Sequence, residues 1–243
     1  MNYVFAVSLF VFSTFFFNTN GNAEEISPKI PFEDIVKFES NGQLVAVGNF
    51  KKGTPFLLLS EDSTTCLAEA ANSEMLEDAP DPFEITNLII KDTCKNQNFI
   101  GALVGITRAN YQYIKLEPFK DPDLIDKVYA EAKKNESPNC PDYLQLKESF
   151  NNLWLIPHHK EKIIVAQIQR EADPDGPLFV QKNNHIYLLE GGCAKEIKTF
   201  SINNRLYMRY DEMGCDSGIF VNKVYDLSGI EPILIYSNSM WST

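Results

Sequence analysis

Leu178-Phe179-Val180-Gln181 and His185-Ile186-Tyr187-Leu188-Leu189 flank the pair Asn183-Asn184, and this stretch decides the fold class. Both flanks are rich in the β-branched and aromatic residues that fit a pleated, half-buried surface. Asparagine tolerates the positive φ that a tight hairpin demands, so the pair reads as a turn between antiparallel strands. Similar runs continue on either side: Ile163–Gln169, Thr199–Ile202, Leu206–Tyr210, Ile219–Tyr225 and Pro232–Tyr236. The N-terminal half offers Gln43–Phe50, Phe56–Ser60, Phe83–Ile90, Phe99–Thr107 and Tyr111–Glu117. Alternation in Tyr111-Gln112-Tyr113-Ile114-Lys115-Leu116 predicts one buried and one solvated face.

Residues 44–106 and 164–227 share an order of landmarks. Leu44-Val45-Ala46-Val47 corresponds to Ile164-Val165-Ala166-Gln167, and Pro55-Phe56-Leu57-Leu58-Leu59 to Pro177-Leu178-Phe179-Val180. A cysteine follows in each, Cys66 and Cys193. Next come Phe83-Glu84-Ile85-Thr86-Asn87 and Phe200-Ser201-Ile202-Asn203-Asn204. A second cysteine, Cys94 or Cys215, precedes the apolar pair Phe99-Ile100 or Phe220-Val221. This order predicts a duplicated β unit. Val45–Phe50 followed by Pro55–Leu58 resembles the strand–loop–strand unit of the FG-GAP repeats found in integrin-type propellers. The acidic calcium ligands of that family are missing from Lys51-Lys52-Gly53-Thr54, so the resemblance does not imply a calcium site here.

Between the units, Asp121 is a good N-cap and Pro122 suits the first helical position. Leu124, Val128 and Ala132 recur at helical spacing, with Ile125 and Tyr129 beside them, which predicts a helix over Pro122–Lys134. A second helix is expected over Asp142–Asn152, with Leu153 on its apolar face, and residues 67–82 are expected as a connection with some helical turn. The expected organisation is a signal peptide over 1–23, a first β unit over 24–118, a helical connector over 119–160 and a second β unit over 161–243. The fold class is mainly β: two duplicated antiparallel units joined by the connector and packed as a sandwich-like or paired-sheet domain.

Val4–Phe17 is apolar apart from Ser8, Ser13 and Thr14, and Gly21 and Ala23 stand where a signal peptidase reads small residues. Cleavage after Ala23 is expected, since the run is shorter than the about 20 residues of a membrane span. A secreted or periplasmic protein without stable membrane insertion follows. The net charge of −11 excludes nucleic acid as a partner, because phosphate contacts need a basic patch, and suits a basic protein partner. Five cysteines in an oxidising compartment should pair as far as they can. The repeat favours the bridges Cys66–Cys94 and Cys193–Cys215 and leaves Cys140 as the free-thiol candidate.

The candidate chemical sites are sparse. Adjacent side chains of an extended His158-His159 point to opposite faces and do not converge on one metal. Cys140 with either histidine would form a thiolate–imidazole pair, but no orienting group or oxyanion donor is marked. Asp173-Pro174-Asp175-Gly176 has the composition of a plain turn. Gly-rich phosphate loops, G-x-S-x-G and H-E-x-x-H are absent from the sequence. No cofactor and no metal is expected, and catalytic residues cannot be named. The function expected is a non-catalytic binding or protein-interaction module. The alternative is an exported hydrolase using dispersed carboxylates or Cys140 between the two β units.

Overall fold

A computed structural model describes residues 30–37, 42–76, 82–91, 94, 98–134, 151–157, 161–168, 176–213 and 219–241. A first antiparallel sheet is built from β1 (Phe32–Glu33), β2 (Ile35–Lys37), β3 (Leu44–Val47), β4 (Pro55–Ser60), β5 (Thr65–Leu76), β6 (Phe83–Ile90) and β7 (Phe99–Val104). A second holds β8 (Tyr111–Ile114), β9 (Glu117–Phe119), β10 (Asn151–Ile156), β11 (Ile163–Ile168), β12 (Gly176–Lys182), β13 (His185–Ile202), β14 (Arg205–Met213), β15 (Ile219–Asp226) and β16 (Ile233–Trp241). The helix α1 (Pro122–Lys134) lies between β9 and β10 in the chain. The protein is therefore mainly β, with two antiparallel sheets and a helical connector.

The sheets have different topologies. The first runs β1-β7-β4-β5-β6-β3-β2, so β4, β5 and β6 form a meander and β7 returns beside β4 as a Greek key. The second runs β16 to β9 in unbroken sequence order, with β8 added to β13. The landmark order shared by residues 44–106 and 164–227 does not extend to pairing: β3 pairs β6, whereas its counterpart β11 pairs β12. The strand–loop–strand likeness at Val45–Leu58 is likewise not a hairpin, because β4 lies between β5 and β7.

Strands that read as continuous apolar runs are buried on both faces, as sheets covered on two sides require. In β11, Ile163 and Val165 join one core cluster, while Ile164, Ala166 and Ile168 join another with Leu124, Val128 and Tyr129 of α1. In β14, Leu206, Met208 and Tyr210 face the first of these clusters, and Tyr207 faces the opposite way. There Tyr207, Phe200, Ile202 and Val224 meet Phe32, Leu57, Leu59, Ile100 and Leu103 of the first sheet. One face of the second sheet is thus covered partly by α1 and partly by the first sheet. Its other face rolls inward: Lys182 in β12 donates to the carbonyls of Leu227 and Gly229, just beyond β15. Three flat strand spacings of about 4.8 Å would exceed the reach of a lysine.

Local chemistry explains the elements. Asn183 and Asn184 have φ of 49° and 65°, the left-handed pair of the expected hairpin, and Asn203-Asn204 repeats the device between β13 and β14. Asp121 Oδ1 accepts from the Leu124 N–H at 3.0 Å, capping α1 as its sequence predicts. Several elements differ from expectation. Residues 65–76 form strand β5, not a loop: Cys66, Ala68 and Ala70 are buried at alternate positions, and pairing on both sides overrides the helix preference of Ala and Glu. Asn151–Ile156 is β10, so the expected second helix does not include Asn151, Asn152 or Leu153; residues 142–150 lie outside those described. Strand β8, expected with the first unit, pairs with β13 of the second sheet. The runs His185–Leu189 and Thr199–Ile202 belong to one bent 18-residue strand with register shifts along its pairing.

Gly101 in β7 permits a close approach between the sheets. Its φ is +148°, and a Cβ there would stand 2.2 Å from the Phe32 ring, which packs against Phe200 and Tyr236 of the second sheet. Gly101→Ala should lower stability by about 1–3 kcal/mol through overpacking and backbone strain. Denaturant titration should show a lower midpoint with the slope retained; an unchanged midpoint would mean that the ring can move freely.

Candidate functional site

Three groups of residues carry chemistry: a charged seam between the sheets, a set of polar ties at the tip of the β4–β5 hairpin, and the outer edge of β16. The seam is built on Glu33 and Asp34 at the end of β1. Asp34 is 1% exposed, and its Oδ2 accepts from Asn222 Nδ2 at 2.8 Å and from the Tyr236 hydroxyl at 3.1 Å. Arg209 Nε lies 3.4 Å from Asp34 Oδ1, and Arg209 Nη2 lies 3.0 Å from Asp211 Oδ1. The strand register sets this geometry: Arg209 stands opposite Val224, Asp211 opposite Asn222, and Asn222 opposite Asn238. Two carboxyl groups, those of Asp34 and Asp211, thus converge on one guanidinium. Burial raises the Asp34 and Asp211 carboxyls above their ordinary range, against the opposing pull of Arg209.

Tyr236 makes the proton count explicit. Its hydroxyl lies 2.8 Å from Glu33 Oε1 and 3.1 Å from Asp34 Oδ2, yet it has one proton to donate. A proton on Glu33 would supply the second donor. Consistent with this, burial lifts the Glu33 carboxyl to about 7, with the neighbouring Asp34 charge adding to the effect. The same surroundings push the Tyr236 phenol up, burial first and the Asp34 and Glu33 charges after it.

At the hairpin tip, the Tyr111 hydroxyl donates to the Ser60 carbonyl at 2.7 Å, and the Tyr113 N–H to Ser63 Oγ at 2.9 Å. Lys198 lies 2.8 Å from Glu61 and 3.2 Å from Glu196. Burial alone would lower the Lys198 ammonium, but these two carboxylates outweigh it and hold its pKa above the ordinary value. An open groove of about 400 Å³ runs beside β8 and β9, lined by Gln112–Pro118 and Pro157. The seam carboxylates do not line it.

The outer edge of β16 has a different character. Strand β16 ends the second sheet and is nine residues long, without a charged residue or proline. The other strands paired on one side only among the described residues, β1, β2, β8 and β9, have two, three, four and three residues. Among the described residues no strand pairs with the outer side of β16. Ile230, Ile233 and Leu234 at its start are 83%, 37% and 45% exposed.

Of the residues singled out in the sequence, Cys66 and Cys94 form a disulfide in the first sheet's core, with Cα atoms 6.1 Å apart. Cys193 occupies β13 opposite Met213. Its side chain, together with Cys140, Cys215, His158, His159 and Asp173–Asp175, lies outside the described residues. Lys51–Thr54 is a turn closed by Thr54 N–H and Oγ1 on the Lys51 carbonyl. His185 is exposed at the start of β13, and Trp154 packs against the second sheet's core. Sequence reasoning missed Glu33, Asp34, Arg209 and Tyr236. The available signal was an arginine within the otherwise apolar run Leu206–Tyr210. Among the described residues no helix is long and apolar enough to cross a membrane.

The Glu33 proton has a thermodynamic consequence. In the unfolded chain the carboxyl ionises near its ordinary 4.5, whereas the fold keeps it neutral to about 7. Its contribution is complete below pH 4.5 and lost as pH rises through about 7. Melting temperature should therefore fall across that interval, and Glu33→Gln should flatten the fall. The same slope in the variant would remove Glu33 from the account. No protein-family model, no curated protein and no solved structure matches the chain.

Proposed function

We propose that this chain is an exported protein-interaction module that takes an extended segment onto the open edge of β16. The observation that carries the reading is that edge: nine uncharged residues, beside exposed Ile230, Ile233 and Leu234. Unpaired strand edges are templates for pairing, and proteins usually blunt them with charge, proline or shortness. Main-chain hydrogen bonds to such an edge supply affinity, and side-chain contacts supply choice. The net charge of −11 would speed encounter with a basic partner without any charge on the edge itself.

Two peptides of the strand's own length test this, one uncharged and β-branched, the other alternating lysine with valine. Both should bind, the lysine peptide more weakly as salt rises, and Leu234→Lys should weaken both. If neither binds the wild-type chain, the reading fails. A second reading, an exported hydrolase, draws support from the carboxyl cluster between the sheets. Turnover of an ester, glycan or peptide panel that vanishes in Glu33→Gln would favour it over the first.

Export is supported by the apolar run Val4–Phe17 before Ala23 and by a disulfide that suits an oxidising compartment. It gives a mature N-terminus at Glu24, a Cys193–Cys215 bridge and a free Cys140. N-terminal sequencing and non-reducing peptide mapping should find all three. Retention of Met1 with every thiol reduced would place the protein in a reducing compartment instead.

A further inference from the structure

We infer that the extended segment on the β16 edge is β16 of a second copy, a deepening that rests on the strand-addition reading above. An antiparallel pair opposes residues whose backbone groups both face the gap or both face away, and along one strand these alternate. A strand paired with its own copy therefore opposes residues of equal parity. A twofold axis at Asn238 sets Ile235 opposite Trp241, Tyr236 opposite Met240, Ser237 opposite Ser239 and Asn238 opposite itself. Over Ile235–Trp241 the sequence sets apolar residues opposite apolar ones and polar residues opposite polar ones. The central amide pair has complementary donors and acceptors.

The register within the chain suits this centre. A shift between Leu234 and Tyr236 marks a bulge, after which Tyr236–Trp241 pairs regularly with Val224–Ile219. The twofold's centre and its inner pairs, Tyr236–Met240, thus lie in the regular part of the strand. Charge points the same way. Each copy carries −11, so most surfaces would repel, but Ile233–Trp241 brings no like charges face to face. Salt should then strengthen the association by screening the two molecules, opposite to its effect on a basic partner.

Ser237 and Ser239 give a register-specific test by sedimentation equilibrium of the purified chain. Ser237→Lys with Ser239→Lys sets lysine opposite lysine twice across the axis and should weaken the dimer by about tenfold or more. Ser237→Lys with Ser239→Glu sets lysine opposite glutamate at the same sites and should keep the wild-type dimer. Both variants alter the same positions, so a shared loss of the near-ultraviolet dichroism signal would identify misfolding, and the salt response of the wild-type chain would then decide. A wild-type chain that stays monomeric at high concentration and high salt overturns the inference. Hydrogen exchange on that monomer separates the two levels. Rapid exchange at alternate β16 amides leaves strand addition by another partner standing, and uniform protection overturns the edge reading as well.

Discussion

The carboxylate of Asp34 is removed from water between the sheets, and the placement of one sheet on the other depends on how it is satisfied. Burying an ion is unfavourable by several kcal/mol unless partners replace its hydration. Here Asn222 and Tyr236 donate to it and Arg209 neutralises it, from three consecutive strands of the second sheet. Asp34 itself follows the two-residue strand β1, too short to be held by its ladder alone. The next residue but one, Phe32, lays its ring on the bare Cα of Gly101 and packs against Phe200 and Tyr236. One short segment thus brings an apolar wedge and a charged plug to the same joint. Slippage of β1 by one residue would bring Glu33 into the place of Phe32, putting a carboxyl in the apolar layer. Register is therefore fixed by what each error would bury.

Apolar packing and polar ties divide the joint between them. Phe200, Ile202, Tyr207 and Val224 against Leu57, Leu59 and Leu103 supply non-directional attraction. Such a layer tolerates small rotations. The directional contacts stand in two groups, the Asp34 cluster and the Tyr111, Tyr113 and Lys198 ties to the β4–β5 hairpin. Two separated sets of hydrogen bonds resist rotation where one would act as a pivot. The first sheet also shields one part of the second sheet's outer face, and α1 shields another. Without both covers, strands such as β11 would present an apolar face to water.

Much of this was legible in local sequence, where local physics decides. Asn183-Asn184 requires a left-handed turn, and the Asp121-Pro122 start with its stripe of Leu124, Val128 and Ala132 requires a helix. Strand β5 was hidden because Ala68 and Ala70 are buried by pairing on both sides, while their residue type favours helix. The sheet to which β8 belongs was hidden because pairing partners are chosen by non-local contacts. The shared landmark order records composition along the chain, and composition does not dictate which edges meet. The seam was hidden for a related reason: an aspartate and a glutamate in a chain with 33 acidic residues carry no mark until a fold sets Arg209 against one and Tyr236 against both.

The seam also bears on the composition of β16. Tyr236 and Asn238 stand opposite Val224 and Asn222, on the face turned toward Asp34. An acidic residue there would add a charge beside the Asp34 and Glu33 carboxyls, and a lysine would compete with Arg209 for Asp34. Neutral residues at those two positions follow from the joint alone. No such constraint reaches Ser237 or Leu234, which are exposed, and these are the places where a lone edge strand ordinarily carries a protecting charge. Their neutrality does not follow from what the sheet beneath needs, which is the ground on which the strand-addition proposal stands. A ligand strand on that edge would act on the backbone of the residue whose hydroxyl holds Glu33 and Asp34. It alters the proton balance of the seam only as far as it binds the two protonation states with different affinity.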